Sequence, residues 1–344
     1  DRQEEIYTQA MQYLDDAIAD LQKEDLIDPE AQDLLYQGDA EKWLKLAYGL
    51  KARYTMHLLK RSANKDADME KVLEYVNNSF ESAEEQAAFD VYDANNINPL
   101  YGFFVARAGL GASESMRSKL AEYNDPRLSR AFITKQGTSG KEQAPGTADN
   151  AVYAPNGTPE QGTSKYGTSL FMYSISAPTL LLSYHELKFL EAEALCRLER
   201  DAKSALKDAV VAGLLNAENS FTISRKELGK TLINAASSIT EAEAESYFDN
   251  TIEAKYTAEP LKTTMTQKYF ALWGASGEAT ESYNDVRRMK GLGENFIELK
   301  NPNSFPLRCP YGNSDTTTNA EVKAAYGNGQ YVYSENVWWA GGSR

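Results

Sequence analysis

The sequence predicts an all-α protein made of amphipathic helical hairpins with long irregular excursions between them. Three observations predict it. Apolar residues recur at helical spacing through most of the chain, Ser, Thr and Asp caps punctuate those stripes, and strand-like alternation is scarce.

The elements follow in order. Between Glu4 and Leu21, Ile6, Ala10, Tyr13, Leu14, Ala17 and Leu21 fall on one stripe, which is an amphipathic helix. Asp39 is placed to cap a second helix running to about Arg61, with Trp43, Leu46, Ala47, Leu50, Tyr54 and Leu58 facing inward. Asp66 or Asp68 opens a third, carrying Met69, Val72, Leu73, Val76 and Phe80. Ser183 and Glu186 form a capping-box pattern that starts a helix through Leu198, each side chain serving an orphan amide. Thr240 and Glu243 repeat the pattern, and Pro260 suits the first position of another helix.

The helices carry a weak repeat. Trp43, Leu46, Ala47 and Leu50 have the 0, 3, 4, 7 spacing of a tetratricopeptide first helix. Second helices of such units need small or apolar residues at 0, 4, 7, as at Met69, Leu73 and Val76 or Ala202, Leu206 and Ala209. Small residues let antiparallel helices approach while large ones fill the groove. Helical hairpins are therefore expected near residues 40–80 and 183–216.

Three irregular segments interrupt them. Residues 135–168 hold six Gly and three Pro, with Tyr153 and Tyr166 inside. In residues 90–111, Asn95, Asn96, Asn98 and Pro99 break the helical pattern before Tyr101, Phe103 and Phe104. Residues 291–344 carry repeated Pro and Gly and end near Trp338 and Trp339. Rigid helices holding long aromatic-bearing loops are the layout of a binding protein.

Composition removes other classes. With 36 basic and 50 acidic side chains the net charge is −14, which opposes nucleic-acid binding. No run of 18 apolar residues occurs. Cys196 and Cys309 form no C-x-x-C, so neither a zinc site nor a disulfide framework is written here, and Cys196 reads as a small buried hydrophobe. His57 and His185, the only imidazoles, lie in helical stretches without a Ser or Cys at suggestive spacing. Phosphate-loop, nucleophile-elbow, H-E-x-x-H, dinucleotide and EF-hand signatures are absent. Acidic runs such as Glu84-Glu85 and Glu241, Glu243 and Glu245 read as solvated helix faces. The expected protein is not an enzyme, and the sequence calls for no catalytic residue, cofactor or metal.

The positive signal is aromatic: 21 Tyr, 12 Phe and 4 Trp. A ring stacks on the C–H face of a sugar while nearby amides take its hydroxyls, although rings also bind peptides or fill cores. Trp43 and Trp273 lie in apolar helical stripes and are expected in the core. Tyr92, Tyr101, Tyr153 and Tyr166 lie in irregular segments and are the ligand-binding candidates.

The run from Lys42 to Tyr54, Glu191-Ala192-Glu193-Ala194, and Gln267 through Trp273 resemble the SusD/RagB nutrient-binding outer-membrane lipoproteins of Bacteroidetes. So do Tyr283-Asn284-Asp285-Val286-Arg287-Arg288, the stretch Pro306 to Tyr311, and Trp338-Trp339. The resemblance touches nearly the whole chain in order and implies one domain, 1–344, with a tetratricopeptide-like scaffold. It implies non-enzymatic capture of oligosaccharide at the cell surface for a TonB-dependent, SusC-like transporter, with peptide capture as the alternative within the family. A helical protein-interaction scaffold is the rival of another class. Lipid tethering to the outer membrane is likewise implied; the chain opens at Asp1 without an apolar leader or lipidated Cys, so it is expected to lack an N-terminal portion. Asp285, Arg287 and Arg288 are expected to determine the fold, a buried Arg pairing bidentately with Asp285 to fix its helix against the C-terminal segment.

Overall fold

The computed structural model describes residues 2–24, 30–107, 110–134, 142–157, 165–301 and 304–343, and helices dominate them. Helix α1 (Gln3–Leu21) lies along α2 (Ala40–His57), which turns back into α3 (Lys65–Asn77). Then come strand β1 (Ala87–Phe89), helices α4 (Pro99–Arg107) and α5 (Glu114–Glu122), and strands β2 (Phe132–Ile133), β3 (Thr168–Ser169) and β4 (Thr179–Leu182). A second hairpin follows, α6 (Tyr184–Arg197) and α7 (Lys203–Leu228). Helix α8 (Glu241–Tyr247) runs through a π turn into α9 (Glu253–Ala258), ahead of α10 (Pro260–Ala271) and α11 (Ala279–Leu292). Two short helices, α12 (Asn313–Thr318) and α13 (Ala320–Tyr326), lie in the C-terminal segment. Among the described residues the strands make two antiparallel pairs, β1 with β4 and β2 with β3.

Local chemistry explains the boundaries. Asp39 accepts the Lys42 amide at 3.1 Å and starts α2. Helix α3 is capped by Asn64, which accepts the Ala67 amide at 3.1 Å; Asp66 and Asp68, expected as caps, occupy the first turn where the helix dipole favours them. Ser183 accepts the Glu186 amide at 3.1 Å, but the reciprocal half of the box differs from expectation. The Ser183 amide donates to Glu278 of the distant α11 entry at 2.5 Å, because the Glu186 carboxylate is taken by Arg53. Thr240 caps α8 through the Glu243 amide at 3.2 Å, and Pro260 occupies the first turn of α10.

The irregular segments hold more structure than the sequence suggested. Asn98 and Pro99, taken as helix breakers, start α4: Asn98 accepts the Leu100 amide at 2.8 Å and Pro99 supplies a preset φ. Asn319 does the same for α13, accepting the Glu321 and Val322 amides. Of residues 135–168, 135–141 and 158–164 lie outside the described residues. The remainder is stitched to the scaffold by Gln143 N to Thr231 O at 2.6 Å, Gly146 N to Phe132 O and Ala154 N to Ala112 O, both at 2.7 Å.

Two cores result. The larger joins α5, α6, α7 and α10 around Phe132, Phe189, Phe221, Phe248 and Phe270; the second lies where α2 and α3 meet α6, around Met56, Met69, Val72 and Leu187. Cys196 is half-buried against the larger core and Cys309 is exposed. Helix α1 buries no residue fully: Ile6 and Tyr13, expected inward, are 48% and 62% exposed. Close approach of α2 to its neighbours needs Gly49, where a Cβ would stand 2.4 Å from Leu182 and 2.7 Å from the Ser79 hydroxyl. Gly49→Ala is expected to destabilise by about 1 to 3 kcal/mol through overpacking, read as an earlier thermal midpoint. An unchanged midpoint would show that Leu182 and Ser79 yield without cost.

Candidate functional site

Charged side chains fill the junction of α2, α6, α10 and α11. Arg53 grips Glu186 through Nε at 2.9 Å and through Nη2, with Glu278 Oε1 at 3.5 Å. Arg288, fully buried, grips Glu193 at 2.5 and 2.8 Å and Asp285 at 2.7 Å. Lys268 closes on Asp285 at 2.9 Å, and Arg197 bridges Glu193 and Glu294. Burial opposes charge on Glu193, but the Arg288 and Arg197 guanidiniums outweigh it and hold its carboxyl well below the usual range. Burial and the Glu186 carboxylate push Glu278 well above it. Burial holds the His185 imidazole down to about 4, so it is neutral.

This network is a strut. Every full charge in it is paired inside, and most of its bonds join helices. Tyr7, His57 and Glu281 extend it: the Tyr7 hydroxyl meets His57 Nδ1 at 3.2 Å, and His57 Nε2 meets Glu281 at 2.7 Å. That chain ties α1, α2 and α11, and the His57 ring stacks 5.7 Å from Trp339. Among the described residues no group of three or more His, Cys, Asp or Glu is arranged to hold a metal.

The arginine pair divides its work differently from expectation. Arg288 takes Glu193 bidentately and Asp285 singly, so it fixes α11 to α6. The C-terminal segment is held by Arg287, whose guanidinium lies 4.1 Å from the Tyr283 ring and 4.8 Å from Trp339. Trp43 is half-buried, donating to Asp33 at 2.7 Å and meeting Tyr36 edge-on. Trp273 packs on Phe132 and Phe171 at the edge of the larger core.

The four loop tyrosines each have partners of their own. Tyr92 shares a hydrogen bond with Thr179 at 2.6 Å, and Tyr101 donates to Glu227 at 3.1 Å. Tyr153 meets Phe132 edge-on beneath Arg117, and Tyr166 is buried with Lys165 over its ring. Among the described residues no two of these rings touch.

A cleft of about 460 Å³ opens elsewhere, between residues 81–86, the first turn of α6, one face of α7 and the start of α8. Helical spacing builds it. Val211, Ala212 and Leu215 give an apolar floor, and Asn216 and Asn219 stand three residues apart on the same side of α7. Neither asparagine has a hydrogen-bond partner among the described residues. The Tyr184 ring and Gln86 form a wall; Gln86 uses its carbonyl on the Tyr184 amide at 3.3 Å, which leaves its NH2 unused. His185, 1% exposed, also lines the cleft, and its Nε2 has no hydrogen-bond partner. An apolar floor, one ring and free amides suit a polyhydroxylated ligand of one or two rings. Sequence reading missed this place because its residues sit in regular helices and a capping turn; the only local signal was two amides three apart beside an apolar stripe.

The profile of a SusD-like family, described as starch-binding and associating with the outer membrane, matches residues 1–311. A SusD/RagB family protein of Bacteroides thetaiotaomicron is 67% identical with a TM-score of 0.96, covering all of this chain and 74% of its own. A SusD homolog from Bacteroides fragilis is 19% identical with a TM-score of 0.72, covering 99% and 75%. A chitin-binding protein is 20% identical with a TM-score of 0.68, covering 99% and 73%. No curated protein matches the chain.

Proposed function

The chain belongs to the SusD-like family, and on that premise we propose that it captures oligosaccharide at the outer membrane in the cleft beside α7. The carrying observation is the pair of free amides over an apolar floor, facing one tyrosine ring. Hydroxyl-rich ligands exchange water for Asn216, Asn219 and Gln86 while a C–H face covers Val211, Ala212 and Leu215. Capture is non-enzymatic, and the cargo passes to a TonB-dependent transporter of the SusC type while a lipid holds the protein at the surface. No described helix is long and apolar enough to cross a membrane.

A glycan and peptide array followed by calorimetry tests the reading. The double variant Asn216→Ala/Asn219→Ala is expected to lose affinity by about tenfold to a hundredfold, at roughly 1 kcal/mol per hydrogen bond. Its thermal midpoint should match the parent because both amides are free in the fold. Parent-like affinity in that variant, with loss instead in Tyr101→Ala or Tyr153→Ala, would return the site to the loop tyrosines. A peptide as the bound class would replace the cargo.

A further inference from the structure

We propose, resting on the glycan reading above, that the cleft is selective for charge: it accepts neutral or amino-bearing sugars and rejects uronates and sulfated sugars. Most charges at its rim are already committed within the protein. Lys207, the one cation of the lining, is held by Asp249 at 2.8 and 3.0 Å. Asp208 lies 3.6 Å from Lys188, and Glu81 lies 3.3 Å from Lys45. Glu241 and Glu245 are different. They stand four residues apart on the exposed face of α8, line the same cleft, and make no salt bridge among the described residues, although the Glu245 charge also acts on Lys207.

Two carboxylates without a salt bridge therefore line the cleft together with the asparagines that would hold a ligand's hydroxyls. The one ammonium of the described lining, Lys207, is shared among Asp249, Glu245 and Glu253, which leaves little of it to answer an anionic ligand. An anionic sugar group held about 6 Å from a carboxylate in water loses about threefold in affinity, so two carboxylates cost about tenfold at low salt. An ammonium group on the sugar gains by the same factor. Salt shortens the reach of both effects, so the discrimination shrinks as ionic strength rises. The chain's overall charge of −14 adds a background repulsion that does not depend on these two residues.

The test is an array of neutral, amino-substituted, uronate-bearing and sulfated oligosaccharides, read with the full chain and with Glu241→Gln/Glu245→Gln. Both side chains are exposed, so the double variant keeps the fold, which a matching thermal midpoint verifies. The parent is expected to bind neutral or amino sugars only. The variant should gain anionic sugars by about tenfold at low salt and favour amino sugars over their neutral parents about tenfold less than the parent protein does. Anionic glycans bound as tightly as neutral ones by the parent would overturn the selectivity while leaving glycan capture standing. So would an unchanged profile in the variant, since the discrimination would then belong to the background charge. An array that binds no glycan of any class sinks the capture reading itself, and the selectivity with it.

Discussion

Arg288→Met is expected to lower stability by about 3 to 5 kcal/mol, the range for breaking a buried ion pair from one side. Arg288 is fully buried and carries three hydrogen bonds, two to Glu193 on α6 and one to Asp285 on its own helix. Methionine fills much of the space but leaves two carboxylates short of a cation. Arg197 at 2.8 Å from Glu193 and Lys268 at 2.9 Å from Asp285 soften the loss, which places the outcome near the lower bound. Glu193→Gln in the same background should recover part of it, because an amide needs no counter-charge in a low-dielectric site. Urea midpoints of the two variants and the parent settle the matter. A loss below about 1 kcal/mol would mean that α11 is anchored to α6 by packing rather than by this pair.

The hairpins were legible because their signals are local: the stripe from Trp43 to Leu58 and the cap at Asp39 need only their neighbours. Bonds across the chain were not. Nothing near Ser183 shows that its amide is met by Glu278, or that Glu186 is drawn away to Arg53. The arginine signature was visible, but its partner Glu193 lies 95 positions away on another helix. Asn98-Pro99 shows that a breaker and a helix start can share residues, the choice falling to whether the following face finds a core; Phe104 finds one. The tyrosines were ranked by the irregularity around them, yet Thr179 and Glu227 take two of the hydroxyls. The cleft draws on residues 81–86, 184, 211–219 and 241–245, and only the packing of α7 against α6 and α8 brings those stretches together.

Glu278→Gln is expected to stabilise the protein increasingly as pH rises above 4.5, by up to about 1.4 kcal/mol per pH unit, with the gain vanishing near pH 4.5. The Glu278 carboxyl is 1% exposed, receives the Ser183 amide at 2.5 Å, and faces Arg53 at 3.5 Å and His185 at 3.8 Å. Arg53 is committed to Glu186, and burial together with the Glu186 charge pushes the Glu278 carboxyl well above its ordinary value. The folded chain thus holds a proton that the unfolded chain releases above its ordinary value of 4.5. Stability on this account falls as pH rises, by up to about 1.4 kcal/mol per pH unit until the folded value is reached. Glutamine has the same shape, accepts from Ser183, donates toward Glu186 and has no proton to take up. His185 works in the opposite sense. Held down to about 4 by burial, it stays neutral while the unfolded imidazole charges below about 6.5, so stability is lost as pH falls through that window. Glu281, which burial would raise but its hydrogen bond to His57 holds down to about 2, adds to the loss below 4.5. In the parent the Glu278 and His185 slopes oppose each other above about pH 4.5. In the variant stability should climb from pH 4.5 to about 6.5 and then hold level. Denaturation midpoints of both proteins from pH 4.5 to 8 separate the two profiles, and parallel curves would show that Glu278 is ionised in the folded protein.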